Sequence, residues 1–283
     1  MNYSHHYHAG NHADILKHLV LALVLDALKQ KDKPFAVVDT HAGAGLYDLL
    51  ATAADKTGEW QAGIGALLPV QNWPEVMKPY RDSLLRHNPQ LAHGGHLRFY
   101  PGSPRLIADL LRPADRLTLG ELHPDAVRKL RHGFADERRV RIVEGDGYHL
   151  VRSELPPVEK RGLVHIDPPF ESKTEFTDMV TALTEGHRRF ATGLYALWYP
   201  IKGRTEVKRF HKALAATGIR KILCVELLIH PDDVAQRLNG SGMILVNPPW
   251  QLAEQLRKLL PWVHERLAPE GQGGARIEWL VGE

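Results

Sequence analysis

Four consecutive residues, Asp167, Pro168, Pro169 and Phe170, end the apolar run at residues 162–166 with an acid, two residues lacking a backbone N–H and an aromatic ring. A carboxylate beside the carbonyl of Pro168 suits the two N–H groups of an amine. The exocyclic amine of a nucleobase is a poor nucleophile because its lone pair is delocalised into the ring. Two fixed acceptors favour the rehybridised, attacking form and give the departing proton a destination. Phe170 is placed to stack on a base so held. An isolated Asp-Pro-Pro is a strand-ending turn, but the strand before it and the ring after it favour a site.

The elements that must position this acid follow from the pattern around it. Leu163, Val164 and Ile166 suit a parallel strand covered on both faces, which the two prolines cannot continue. Open α/β sheets place ligands at the carboxyl ends of such strands. Three more acids follow or close apolar runs: Asp39 after residues 35–38, Glu121 at the end of 116–121, and Asp146 in Gly145-Asp146-Gly147 after 140–144. The small residues Ala42, Gly43, Ala44 and Gly45 let backbone approach a ligand closely. The third glycine of a dinucleotide fingerprint is missing, since Asp48 stands there, which weakens a nicotinamide-binding reading.

Glu121 follows Asp39 by far more than the roughly 20 residues of a plain nucleotide-binding unit. Residues 48–98 are therefore read as an inserted helical subdomain, with helices near 63–68 and 74–86. Ser103 is expected to cap a helix running to about Arg112 and to face the pocket. A helix at 124–133, a fifth strand at 193–199, a closing pair at 221–228 and 242–246, and an edge strand at 275–281 complete the pattern. The prediction is an α/β fold: one domain, residues 1–283, with a mostly parallel doubly wound sheet.

Residues 1–10 form a polar arm, carrying Tyr3 and His5, expected to lie over the pocket. After it, Ile15, Leu16, Leu19, Val20, Leu23 and Val24 recur at the spacing of a capped amphipathic helix. The five histidines in the first eighteen residues match no familiar metal spacing and have no cysteine nearby, so no metal is expected. The single cysteine, Cys224, lies in an apolar run and is expected to be buried. The chain has 283 residues, 43% of them hydrophobic. Its longest early apolar run is too short to span a bilayer, and no signal-peptide pattern follows, so a cytoplasmic protein is expected. A net charge of +3 permits a nucleic-acid partner without demanding one. Two basic clusters, 128–141 and 201–212, are candidate phosphate contacts, Lys202 and Arg204 better placed because they share the rim with Asp167. Either cluster serves equally well as a solvated helix face. A second tetrapeptide, Asn247-Pro248-Pro249-Trp250, mimics the first. No glycine loop follows it to support a permuted fold, so Asn247 is read as a structural turn.

The ordered set of Asp39-Thr40-His41-Ala42-Gly43-Ala44-Gly45, Glu121, Asp146-Gly147 and Asp167-Pro168-Pro169-Phe170 resembles class I S-adenosylmethionine-dependent methyltransferases that modify amines. Residues 4–18, Tyr100-Pro101-Gly102-Ser103-Pro104, Glu121-Leu122-His123-Pro124, residues 189–193 and Ala196-Leu197-Trp198-Tyr199-Pro200 further resemble the bacterial ribosomal RNA large subunit methyltransferase J family. The resemblance implies a Rossmann-like fold, methylation of adenine N6 in 23S rRNA, a single-stranded or flipped target base, and a monomer. It implies Asp167, with Pro168 and Phe170, at the reacting amine. It also implies Lys17, His18, His41, Ser103, Glu121, Asp146, Gly147 and Asp167 around the cofactor, with Glu121 on the ribose hydroxyls and Asp146 on the adenine amino group, and Tyr3 and His5 near the target nucleotide. The family usually carries tyrosine where this chain has Phe170, so stacking survives but a phenolic role does not. DNA adenine, a protein glutamine, and a non-catalytic binding module remain the alternatives.

Overall fold

The protein is described by a computed structural model covering residues 5–51, 58–232, 237–268 and 270–283. Its centre is an eight-stranded sheet. Strands β1 (Ala36–Asp39), β4 (Arg116–Glu121), β5 (Val140–Glu144), β6 (Gly162–Ile166) and β7 (Leu194–Ile201) are mutually parallel. Strands β8 (Ile222–Leu228), β9 (Gly240–Val246) and β10 (Gly274–Val281) complete it in the order β10-β8-β9-β7-β6-β1-β4-β5. β9 runs antiparallel between β7 and β8, and β10 antiparallel along β8. Every residue of β1, β6, β8 and β9 is buried, which is why these strands read as unbroken apolar runs rather than alternating ones. Leu163 faces one core and Val164 and Ile166 the other, following the two-residue period of the strand.

The helices cover both faces. α1 (His12–Lys29) is capped by Asn11, whose Oδ1 accepts from the N–H groups of Ala13 and Asp14. It is not amphipathic in place: all residues from Ala13 to Leu25 are buried. The insertion accounts for this, covering the side that the periodicity left to solvent. Within it lie α2 (Glu59–Ala62), α3 (Ile64–Leu67) and α4 (Lys78–His87), and α1 packs against α4, against α5 (Ser103–Leu110) and against β7 and β9. A two-stranded ribbon of β2 (Leu46–Asp48) and β3 (Phe99–Pro101) closes the base of the insertion. The remaining helices are α6 (Pro124–Gly133), α7 (Gly147–Ser153), α8 (Glu175–Arg189), α9 (Arg204–Ala215) and α10 (Leu252–Leu267). Among the described residues, no helix is long and apolar enough to cross a membrane.

Two side chains behave differently from expectation. Ser103 does not cap α5; Gly102 holds that place, and Pro104 removes one of the N–H groups a cap would serve. Its Oγ donates instead to Asp39 Oδ2 at 2.7 Å, a buried charge-capable acceptor that outcompetes the helix end. Arg204 does not stand open on the rim. Its Nη1 lies 2.6 Å from the fully buried Glu226 and its Nε 2.5 Å from Asp232, because a carboxylate sealed in the core needs a cation beside it.

Candidate active site

A cavity of about 790 Å³ opens where the parallel strands end. Sheet order divides it. On one side of β6, the segments after β1 and β4 contribute His41, Ala42, Gly43, Glu121 and His123. On the other, the ends of β7 and β8 contribute Trp198, Pro200, Lys202, Ile229 and His230. Asp167 to Phe170 stand on the dividing line, and the first turns of α1 lie across both halves with Asn11, His12, Asp14, Lys17 and His18.

Asp167 sits in a run of alternating charges. Lys17 Nζ donates to Asp167 Oδ2 at 2.7 Å and lies 2.8 Å from Asp14 Oδ1, while His5 Nε2 is 2.9 Å from Asp14 Oδ2. Lys17 and Asp167 are 5% and 14% exposed, so these ions are scarcely screened by water. Burial pushes the Asp167 carboxyl up, but the Lys17 ammonium beside it prevails and holds it below the ordinary carboxylate value. Asp14 is held well below its ordinary value, with burial opposed by His5 and Lys17. The Lys17 ammonium is raised, the two carboxylates outweighing its burial. The group at the strand end is therefore an anion with its accepting capacity intact.

Phe170 adopts φ of 52°, a left-handed conformation costly for a residue with a side chain, and it packs edge-on against Phe176 and Trp198 at 5.0 and 5.8 Å. Lys17 lies 5.5 Å from the centre of the Trp198 ring. Phe170 and Trp198 thus give the middle of the cavity apolar walls beside the acid.

The other half collects most of the residues expected around a cofactor. Both carboxylate oxygens of Glu121 are aimed by backbone, Oε2 accepting from Gly43 N–H and Oε1 from His123 N–H, each at 2.7 Å. His41 bonds to Thr40 Oγ1 at 2.8 Å, and burial lowers its pKa to about 4, leaving it neutral. Burial lowers His18 to about 3. Its Nε2 is buried without a partner among the described residues and belongs to a residue lining the cavity, as expected of a group that meets a polar ligand; Oδ1 of Asp39 also lacks a partner, but Asp39 lies behind the cavity wall. Gly147 is indispensable in shape, since a Cβ there would come within 2.0 Å of the Thr40 carbonyl where α7 meets the end of β1. Asp146 departs from the group: it is exposed, does not line the cavity, and spends Oδ1 accepting from the Tyr148 N–H at the start of α7. Tyr3 lies outside the described residues.

Sequence reasoning missed Asp14 and assigned no role to Trp198. The three-residue spacing of Asp14 and Lys17 was a usable signal for an ion pair on α1. The mimic tetrapeptide is a turn. Asn247, at φ of 54°, donates from Nδ2 to the carbonyls of Ala191 and Gly193 at 2.8 and 2.9 Å. Because β9 is antiparallel to β7, this puts Asn247 beside the start of β7, at the opposite end of the strands from Asp167. Cys224 is buried, its thiol pushed up to about 12 by that burial. His211, Cys224 and Glu226 bring ligand atoms within 4.8 Å of one another, but Arg204 and the Tyr199 hydroxyl already occupy the Glu226 carboxylate. In the basic stretch of α6 and β5, Arg128, Arg131, Arg139 and Arg141 are each paired with an acid.

Comparison with known proteins agrees with this arrangement. The family model for ribosomal RNA large subunit methyltransferase D, RlmJ, matches residues 32–281. Ribosomal RNA large subunit methyltransferase J of Escherichia coli is 46% identical over 283 residues, and its Haemophilus influenzae counterpart 46% over 284, with all of both chains covered in each case. A crystal structure of a Legionella pneumophila protein superposes with a TM-score of 0.89 at 32% identity, covering 96% of this chain and 98% of that one. A probable spermidine synthase from Corynebacterium glutamicum shares the fold alone, with a TM-score of 0.50 at 14% identity over 93% of this chain and 74% of that one. Matched end to end by both relatives, and carrying the acids at its strand ends, the chain belongs to the ribosomal RNA large subunit methyltransferase J family.

Proposed function

We propose that the protein transfers a methyl group from S-adenosylmethionine to the exocyclic N6 of an adenine in 23S rRNA. The observation that carries this is Asp167 at the end of β6, kept anionic by Lys17 and set between the two halves of the cavity. The donor set fits the cofactor: a backbone-aimed Glu121 for the ribose hydroxyls, an unpartnered His18 Nε2 and neutral His41, with Lys17 and Ser103 behind them, while Gly147 serves by letting the start of α7 pack on the Thr40 carbonyl beside His41. Asp146 takes the adenine amino group only if the carboxylate turns from its exposed position. When bound, the cofactor supplies an electrophilic methyl group on a sulfonium.

The protein's own residues do the rest. Asp167 and the Pro168 carbonyl accept from the two N–H groups of the target amine, which localises its lone pair and orients it toward the cofactor half. As the new N–C bond forms, the amine proton passes to Asp167. Phe170 and Trp198 hold the base between apolar walls and keep water from the acid. A base reaches this depth only when flipped or single-stranded. It enters over β7 and β8, where Lys202 and His230 line the mouth. The arm of residues 1–10, with Tyr3 and His5, closes over the target nucleotide, and residues 48–98 act as a helical subdomain backing α1. The protein works in the cytoplasm as a monomer without a metal.

Labelled methyl transfer to unmodified 23S rRNA, followed by nucleoside analysis, tests the proposal with wild type, Asp167→Ala and Asn247→Ala. N6-methyladenosine formed by wild type and Asn247→Ala but not by Asp167→Ala is the expected result. Label absent from RNA yet transferred to DNA or protein would overturn the rRNA assignment, and cofactor binding without any turnover would leave a binding module.

A further inference from the structure

His18 ends a buried chain of hydroxyls that begins in the helical insertion. Tyr80 on α4 and Tyr100 on β3 have their hydroxyl oxygens 3.1 Å apart, and the Tyr100 hydroxyl is 2.8 Å from His18 Nδ1. All three side chains are essentially sealed from solvent, at 0%, 0% and 1% exposure. The imidazole is neutral, since burial lowers its pKa to about 3. It therefore carries one proton, on either Nδ1 or Nε2.

Counting donors decides which. If Nδ1 carried the proton and donated to Tyr100, the Tyr100 hydroxyl would donate to Tyr80, and the Tyr80 O–H would be left buried with no acceptor among the described residues. Run the other way, Tyr80 donates to Tyr100, Tyr100 donates to Nδ1, and every hydroxyl proton is used. Either direction leaves one donor beyond the chain, the Tyr80 O–H or the His18 Nε2–H. Tyr80 is sealed in the core and does not line the cavity, whereas His18 does, so only Nε2–H can meet water or a ligand. The cost of an orphan donor then fixes the direction. We infer that the Tyr100 hydroxyl locks His18 as the Nε2–H tautomer, making Tyr100 a positioning residue that turns this ring into a fixed hydrogen-bond donor facing the cofactor half of the cavity. Nε2, the ring nitrogen turned away from Tyr100, has no partner among the described residues, and His18 lines the cavity. The matching ligand group is an acceptor, and the chemistry points to the carboxylate of the cofactor's amino-acid end. This last step rests on the cofactor reading above; the tautomer does not.

The test uses the full-length protein labelled with ¹⁵N at histidine, with no cofactor added, and long-range proton–nitrogen correlation spectra. Loss of signals in His18→Asn assigns the ring. The expected spectrum has Nδ1 unprotonated and Nε2 protonated. Tyr100→Phe should give a mixture of tautomers and weaken S-adenosylhomocysteine binding, read by calorimetry, about five- to tenfold. Tyr80→Phe should keep the wild-type tautomer, because Tyr100 then has His18 as its only acceptor, and this separates direction-setting from a general loss of packing. A proton on Nδ1 in wild type, or a Tyr100→Phe spectrum and affinity identical to wild type, would overturn the inference. Unchanged affinity in His18→Asn would instead remove His18 from the cofactor site while leaving the tautomer to be decided by the spectrum.

Discussion

Replacing Lys17 with methionine keeps the length and apolar stem of the side chain and removes the ammonium from between two carboxylates. Asp14 and Asp167 are 2% and 14% exposed and lie 2.8 and 2.7 Å from Nζ. Two unit charges about 4 Å apart near a protein surface interact by roughly 4 kcal/mol, and one partner cation typically lowers a carboxyl pKa by about 1–3 units. Without it, burial and the neighbouring carboxylate both push Asp167 upward from below its ordinary value. In wild type the two carboxyls have lowered folded values, so their pairing stabilises the fold above about pH 4 and that contribution is lost as pH falls through the folded values. In Lys17→Met the sign reverses. The folded value of Asp167 then exceeds its unfolded one, whereas Asp14 keeps His5 beside it, and the penalty, about 3–5 kcal/mol for a broken buried pair, grows as pH rises and fades in acid. The assay is kcat/KM for methyl transfer to a 23S rRNA fragment from pH 5 to 8, with urea unfolding at the same values. Between pH 7.5 and pH 5 the variant should lose rate several-fold as Asp167 takes up a proton, while wild type stays level. Lys17→Met combined with Asp14→Asn should recover much of the stability by removing one of the stranded charges, while a raised acid limb persists. An acid limb of the folded double variant that coincides with wild type would refute the reasoning.

Phe170→Ala should raise KM for RNA by the loss of one stacked base, about 1–3 kcal/mol, with cofactor affinity unchanged, whereas Phe170→Tyr should retain wild-type kinetics; steady-state titration of each substrate separates the two. Asn247→Ala removes both bonds to Ala191 and Gly193 at a left-handed position, so it should cost about 1–3 kcal/mol in urea unfolding and leave kcat unchanged. Gly147→Ala forces a Cβ against the Thr40 carbonyl, and should destabilise by about 1–3 kcal/mol while weakening cofactor binding measured by calorimetry.

Four of the parallel strands, β1, β4, β5 and β6, were legible because each is a short apolar run closed or followed by an acid, and β7 because it is an apolar run after a helix; their ends differ from expectation by a residue or two. The direction of β9 was not, because an apolar seven-residue run says nothing about which way it pairs; only its neighbours settle that. Asp167 was readable from its local pattern, but what keeps it charged was not. Its partner, Lys17, is 150 residues away, and no local periodicity encodes so distant a contact. The same limit explains Arg204. As a string of bases, residues 201–212 read as a phosphate-binding rim, yet the buried Glu226 on another strand claims the guanidinium. Asp146 has a use that the sequence reading did not include: at a helix start its carboxylate caps α7.

The thoroughly buried α1 also carries a consequence for how the protein is made. This helix is buried on every side from Ala13 to Leu25 and comes early in the chain, whereas β9, one of the strands it packs against, comes more than two hundred residues later. At elongation speeds of about 5–20 residues per second, roughly 10–40 s pass in which α1 exists without β9 against it. During that interval the nascent chain offers a greasy helix to whatever surrounds the ribosome exit, which makes it a natural client for chaperones. Lys17 and Asp167, 150 residues apart in the chain, meet only once α1 docks, so the acid gains its cation only as the fold closes.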